Sequence, residues 1–133
     1  MTHDYKYSEL THRIIGCSME VHRVLGNGFQ EVIYQRSLAY ELEQFSVGFA
    51  REVDMPIFYK GVLMGTRRAD FLIEEKVMVE LKAIIKLEDV HLAQAMNYLE
   101  AYNIEIGLLI NFGAASLEFK RVLNPHFRRF TTK

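Results

Sequence analysis

The stretch RADFLIEEKVMVELK, from Arg68 to Lys82, holds two apolar runs on either side of the charged turn Glu74 to Lys76. Runs rich in Val, Ile, Leu and Phe around a short polar turn are typical of two antiparallel strands. We therefore predict strands at about Val62 to Ile73 and Val77 to Ala83. These strands decide the fold, because the other elements must pack against the sheet that they begin.

Three of the five charged residues in these strands, Asp70, Glu80 and Lys82, form a pattern. Glu80 and Lys82 are two positions apart, so their side chains project from the same face of the second strand. An antiparallel register centred near Glu75 places Asp70 of the first strand opposite Glu80. Adjacent carboxylates raise each other's pKa unless a cation lies between them. The arrangement therefore predicts a metal site.

Carboxylate ligands, with water molecules completing the coordination shell, suit Mg²⁺ or Mn²⁺ better than Zn²⁺. Such an ion can polarise a phosphoryl oxygen and lower the pKa of a bound water molecule. The ammonium group of Lys82 can orient that water or stabilise developing charge. The chemistry indicated is phosphodiester hydrolysis. On spacing alone, however, we favour an exposed ion pair on an edge strand, because Asp followed by Glu-x-Lys occurs by chance in many chains.

The rest of the chain supplies helices before and after these strands. Apolar spacings of three and four predict helices, period-two alternation predicts half-buried strands, and a continuous apolar run predicts a strand buried on both faces. This order predicts an α/β fold in which a mixed sheet is flanked by helices. The predicted elements are helices from about Ser8 and from about Gln30 to Gln44, a strand from Arg51 onward, the two strands above, a helix between Leu87 and Tyr102, and strands at Ile106 to Ile110 and about Leu117 to Leu123.

Length and composition predict a single domain over residues 1–133, since 133 residues with 50% hydrophobic content suffice for one core. The one cysteine, Cys17, has no internal disulfide partner, and no apolar run approaches the roughly 20 residues that span a bilayer. We expect a cytoplasmic protein without a membrane segment. The net charge is -1, but the stretch from Phe119 to Lys133 holds five basic and no acidic residues. It is either a solvated tail or a contact for phosphate.

A wider pattern resembles the GxxExxY protein family, a branch of the PD-(D/E)XK nuclease superfamily. Gly28, Glu31 and Tyr34 reproduce the family signature, whereas Ala69 stands where the superfamily name has proline. The other matching residues follow in chain order: Tyr59-Lys60-Gly61, Arg68-Ala69-Asp70, Val79-Glu80-Leu81-Lys82, His91, Gln94, Tyr98 and Leu109-Ile110-Asn111-Phe112-Gly113.

This resemblance implies a restriction-endonuclease-like αβββαβ core and a nucleic-acid substrate. It implies that Asp70 and Glu80 are metal ligands and that Lys82 is the catalytic lysine, with Mg²⁺ or Mn²⁺ as the cofactor. The carbonyl of Leu81 and the carboxylate of Glu31 would join the metal shell.

Four further residues are candidates for supporting the site. Gln94 and Tyr98 resemble a Qxxx(Y) element that supports the site or meets the substrate backbone. His91 shares their helical face and could reach a phosphate, although we favour a hydrogen-bonded structural histidine. The Tyr34 ring can pack while its hydroxyl bonds to Glu31 or to the strand that carries Glu80.

Three functions therefore stay open. The first is a metal-dependent nuclease, which the complete triad favours, and the second is a nucleic-acid-binding or regulatory module that has lost catalysis. The third is a structural protein in which the triad is only an ion-pair network. A domain this small offers little surface for specificity, which is compatible with a homodimer or a protein partner.

Overall fold

The computed structural model describes residues 7–129, in which five strands form one mixed sheet. The elements are helices α1 (Ser8–Leu25), α2 (Glu31–Gln44) and α3 (Asp89–Tyr102), and strands β1 (Phe49–Tyr59), β2 (Val62–Ile73), β3 (Val77–Lys82), β4 (Ile106–Asn111) and β5 (Glu118–Leu123). The strands follow chain order across the sheet. All neighbours are antiparallel except β3 and β4, which are parallel and joined through α3. The predicted α/β fold is confirmed.

Helices α1 and α2 cover one face of the sheet, and α3 covers the other. A large buried cluster joins Leu38 of α2 to Val79 of β3, and a smaller one joins Leu99 of α3 to Met78 on the opposite face of β3. Because both faces are covered, all six residues of β4 are buried, as its continuous apolar run predicts. None of the helices in residues 7–129 combines the length and the apolar character that crossing a membrane requires.

The hairpin of β2 and β3 has the predicted register. Phe71 pairs with Val79, and the pairing continues in steps of one toward the turn. The pairing ends at Phe71 and Val79, so Asp70 and Glu80 lie on neighbouring strands directly beyond the last paired residues.

The side chains of β2 change face at Asp70. Ala69 packs in the cluster under α3, whereas Phe71 packs in the cluster under α1 and α2. Residues two apart lie on the same face of a regular strand, so the strand is irregular here. In β1 the pairing skips Glu52, whose φ of 57° is in the left-handed region. The irregularity leaves Asp70 facing α2.

The chain leaving β3 crosses close to the end of β4. The N–H of Phe112 donates to the Lys82 carbonyl at 2.8 Å, and the buried Asn111 side chain accepts from the N–H groups of Ile84 and Gly113 at 2.9 and 3.0 Å. A Cβ atom on Gly113 would collide with the backbone of Ile84. This close packing fixes the end of the strand that carries Lys82.

The predicted element boundaries lie within two residues of the observed ones. The apolar periodicity of the helices does not predict every burial. Val24 of α1 and Phe45, the residue that follows α2, are 62% and 51% exposed. Thr11 and Ser18 of α1 are buried instead, and their hydroxyl groups donate to carbonyls one turn earlier at 3.1 and 2.9 Å. These hydrogen bonds offset the cost of burying the hydroxyls, which is why an apolar stripe alone does not identify them.

Candidate active site

Asp70 is held by hydrogen bonds from two neighbouring elements. Its Oδ1 accepts from the side-chain amide of Gln35 on α2 at 2.9 Å, and its Oδ2 accepts from the backbone N–H of Leu81 on β3 at 2.8 Å. The carboxylate therefore lies where β2, β3 and α2 meet. Each carboxylate oxygen has two lone pairs, so Asp70 retains capacity for a further ligand.

Glu80 is a buried carboxylate whose charge is only partly compensated. The residue is 5% exposed, and its Oε1 pairs with the Arg67 guanidinium at 2.8 Å. Its Oε2 is buried and has no hydrogen-bond partner within residues 7–129. Burial raises the pKa of Glu80 to about 7; Arg67 opposes this shift and the negative charge of Asp70 adds to it. Such a carboxylate is stabilised by any cation that reaches its open oxygen.

Glu31 and Lys82 lie within electrostatic range of these carboxylates. Glu31 begins α2 and is exposed overall. Burial by nearby atoms raises the pKa of Glu31, the charge of Asp70 raises it further, and Lys82 and Arg67 lower it. Lys82 also lowers the pKa of Glu80. The fold thus brings four predicted site residues into one electrostatic cluster.

Gln35 is a site residue that sequence reasoning missed. It is only 6% exposed and donates to Asp70. It lies four residues after Glu31, so both side chains project from the same face of α2. A polar residue next to the buried Tyr34, one turn after Glu31, is the sequence signal that could have identified it.

Arg67 is a second missed residue. Its guanidinium pairs with Glu80 and lies 4.4 Å from the centroid of the Tyr98 ring on α3. Partial burial lowers the pKa of Arg67, but Glu80, Tyr98 and Asp70 together outweigh it and raise the pKa. Tyr98 therefore contacts the cluster through Arg67. No local pattern identifies this arginine, because Glu80 is 13 residues further along the chain.

Gln94 and His91 are the two other residues of α3 that were predicted to support the site. Gln94 is exposed on the helix surface. The Nδ1 atom of His91 accepts a hydrogen bond from the backbone N–H of Glu88 at 2.9 Å. This contact closes the first turn of α3 and gives the histidine a structural role.

The expected hydroxyl contacts of Tyr34 are wrong. The Tyr34 side chain is fully buried and stacks on Phe112, with 4.6 Å between ring centroids. Its hydroxyl donates to the Gly26 carbonyl at 2.5 Å and accepts from the Phe29 N–H at 3.1 Å. The hydroxyl thus joins the loop between α1 and α2 instead of contacting Glu31 or β3.

The donor set of the cluster is compatible with a divalent cation. Asp70 and Glu80 offer hard carboxylate oxygens, and Glu80 Oε2 has no hydrogen-bond partner among residues 7–129. Within residues 7–129, no three His, Cys, Asp or Glu side chains are grouped so that they could hold a metal ion by themselves. Two carboxylates would therefore need water or backbone oxygen to complete a shell, as Mg²⁺ sites commonly do.

Comparison with known proteins identifies the family. Residues 8–122 match the PD-(D/E)XK nuclease superfamily. The chain therefore belongs to the PD-(D/E)XK nuclease superfamily. Most members of that superfamily are nucleases, and they generally use divalent metals.

A solved structure shares the fold. The crystal structure of SSO0001 covers 71% of this chain at a TM-score of 0.55 and 22% sequence identity. The match spans about half of the SSO0001 chain (50%). A search of curated proteins finds no significant match.

Proposed function

We propose that this protein is a nuclease that hydrolyses phosphodiester bonds with Mg²⁺ or Mn²⁺, and that it belongs to the GxxExxY branch of its superfamily. The observation that supports the proposal most is the buried Glu80 carboxylate, whose open Oε2 lies in an electrostatic cluster with Asp70 and Lys82. A buried charge of this kind is costly for stability, which favours a functional reason for keeping it. The superfamily match supports the same chemistry.

Each residue of the cluster has a proposed role. Asp70 and Glu80 would bind the cation, and the carbonyl of Leu81 would contribute a further oxygen atom. Because Glu31 is not grouped with these two carboxylates among residues 7–129, it would act through a water molecule of the metal shell. The cation would supply charge stabilisation at the phosphate and a more acidic water molecule. Lys82 orients the attacking water and donates hydrogen bonds to the developing negative charge. Gln35 holds Asp70 in position through its 2.9 Å hydrogen bond.

The substrate is DNA or RNA. Basic residues after the fourth strand, including Lys120, Arg128 and Arg129, provide positive charge for a phosphate backbone, although the net charge is only -1. Gln94 is exposed on the same helix as Tyr98 and is available for a substrate contact. A second copy of the chain would supply a second site if both strands of a duplex are cut.

A second candidate is a module that binds nucleic acid without cleaving it. The observation in its favour is the 2.8 Å ion pair between Arg67 and Glu80, because a guanidinium already supplies one positive neighbour for this carboxylate. In that case Arg67 would replace the cation permanently. Cleavage therefore has to be measured directly.

The first prediction concerns cleavage. We expect the wild type to cut fluorescently labelled DNA or RNA, single-stranded or duplex, in Mn²⁺ or Mg²⁺ and not in EDTA. Asp70→Asn, Glu80→Gln and Lys82→Met should each reduce the rate by at least about 100-fold, because each removes a cation ligand or the group that assists the water.

The matched control for Lys82→Met is Lys86→Met, which removes the same charge from an exposed position after β3 and should retain activity. Binding without cleavage by the wild type would support the second candidate. Cleavage that is unaffected in Glu80→Gln would contradict the proposed site.

A further inference from the structure

Arg67 occupies a position between the acidic cluster and solvent. One terminal nitrogen donates to Glu80 Oε1 at 2.8 Å, and the other donates to the Arg68 carbonyl at 2.9 Å. The guanidinium carbon lies 4.4 Å from the Tyr98 ring centroid, and 32% of the side chain is exposed. The group is thus held on one side by protein and open on the other.

The chemistry of this group conflicts with a cation at Glu80. A guanidinium and a divalent cation are both positive, so each weakens the binding of the other to the same carboxylate. A guanidinium has five N–H donors in a planar fork that matches the oxygens of a phosphate. The hydrogen bonds above use two of them, and Tyr98 takes a further hydrogen bond from the side chain, which leaves the remaining donors for a phosphate at the open side.

We propose that Arg67 is a phosphate-binding residue of this site, and that it pairs with Glu80 only until a divalent cation takes its place. This inference rests on the proposed nuclease function. When the cation binds Glu80, the guanidinium stays stacked on Tyr98 and turns its N–H groups toward a phosphodiester of DNA or RNA. Tyr98 thereby limits how far Arg67 moves, because the ring contact does not depend on Glu80.

The adjacent arginine provides the matched control. Arg68 pairs with Asp54 at 3.0 Å, and both side chains are 60% exposed. It carries the same charge as Arg67 at the next position of β2 but has a different partner. An effect of general positive charge would therefore appear equally in Arg67→Met and Arg68→Met, whereas the proposed role belongs to Arg67 alone.

The first measurement uses Mn²⁺ alone, by calorimetry, on protein free of nucleic acid. Removing the competing guanidinium should tighten Mn²⁺ binding about three- to tenfold in Arg67→Met, since solvent partly screens the Coulomb repulsion of a side chain that is 32% exposed. Arg67→Lys, which keeps the positive charge, and Arg68→Met should both stay near the wild-type affinity. Melting curves of each variant establish that it is folded.

The second measurement uses labelled DNA and RNA of the same sequence, bound in Mn²⁺ by proteins that also carry Lys82→Met to prevent cleavage. Arg67→Met should weaken binding about fivefold or more and reduce the slope of log affinity against log salt by about 0.9 for duplex DNA, as loss of one phosphate contact predicts. Arg68→Met should retain the parent affinity. The DNA and RNA series show which phosphodiester is bound.

Two outcomes would overturn the role of Arg67. One is weaker or unchanged Mn²⁺ binding in Arg67→Met while the wild type binds Mn²⁺. The other is equal loss of nucleic-acid binding in Arg67→Met and Arg68→Met. A wild type that binds no Mn²⁺ would instead refute the proposed function, so the two failures are distinguishable.

Discussion

Glu80 is the residue at which the stability and the proposed function of this protein oppose each other. It lies in the otherwise apolar strand β3 and is 5% exposed, and its ion pair with Arg67 satisfies one of its two oxygens. Its pKa of about 7 lies above the ordinary carboxyl value of 4.5. Between these two pH values the folded protein therefore binds a proton that the unfolded chain releases.

The stability of the metal-free protein should depend on pH through Glu80. Because the folded state binds the extra proton, this group lowers the free energy of unfolding progressively from about pH 4.5 to about pH 7, by about 3 kcal/mol in total. The Glu80→Gln variant has no carboxyl proton to lose at this position. Its free energy of unfolding relative to the wild type should therefore rise by about 2 to 3 kcal/mol as the pH increases from about 4.5 to about 7. Urea unfolding in EDTA at pH 5, 6, 7 and 8 measures the difference.

Glu43→Gln, at an exposed position on α2, measures the effect of losing a surface carboxylate. A difference between Glu80→Gln and the wild type that does not change with pH would mean that Glu80 is not perturbed by burial.

The residues of the site differ in how well the sequence identifies them. The proximity of Asp70, Glu80 and Lys82 could be predicted because a short turn between two apolar runs determines the register, which is local information. Their assignment as a metal site comes from the family resemblance and stays a prediction. Gln35 and Arg67 could not be predicted, because their contacts join α2 to β2 and β2 to β3 across 35 and 13 residues. Only the folded chain brings those partners together.

At the scale of elements, the segment after β3 crosses close to the end of β4. The Asn111 side chain donates to Glu118 Oε1 at 2.9 Å, and the same oxygen accepts from the Leu87 N–H at 2.9 Å. The Asn111 bond and then the Leu87 bond lower the pKa of Glu118. These bonds tie the start of β5 to the chain that follows Lys82.

Gly113→Ala should destabilise the protein by about 3 kcal/mol or more, because its Cβ would collide with the backbone of Ile84 and Ala83, which cannot rotate away. Gly16→Ala is the control. Gly16 lies inside α1 with open space where a Cβ would go, and the change should stabilise by about 0.5 to 1 kcal/mol.

Denaturant unfolding of both alanine variants tests this packing. The crossing would be looser than described if Gly113→Ala were as stable as the wild type. A loss of nuclease activity in Gly113→Ala that exceeds its loss of folded protein would indicate that the crossing also positions Lys82.

Sequence periodicity did not predict the irregularity of β2. Alternation is a property of regular strands, and the change of face between Ala69 and Phe71 breaks it. The left-handed φ of Glu52 on the adjacent strand belongs to the same irregularity. Its consequence is that the Asp70 side chain lies toward Gln35 and α2.

At the scale of the whole molecule, the site combines residues from helices on both faces of the sheet. Glu31 and Gln35 reach it from α2, and Tyr98 reaches it from α3 through Arg67. Element order and sheet type could be predicted from periodicity, whereas this convergence depends on which face each helix covers. The superfamily match over residues 8–122 agrees with the architecture.

The structure also determines which variants test the site best. Asp70→Ala would leave the Leu81 N–H without its partner, and an unpaired buried donor costs about 1 to 3 kcal/mol. Asp70→Asn keeps an oxygen for that N–H, and Gln35 can turn its amide to face the new side chain. Asp70→Asn and Glu80→Gln therefore remove charge with little change in shape.

The measurement that tests the central claim most directly is calorimetric titration of the wild type with Mn²⁺ at pH 8, beside Asp70→Asn, Glu80→Gln and the exposed control Glu43→Gln. We predict Mn²⁺ binding in the wild type and the control, and a loss of at least about tenfold in affinity in both site variants, since even indirect ligand support is worth that much. Wild-type binding that neither site variant weakens, or no binding at all, would contradict a cation site at Asp70 and Glu80.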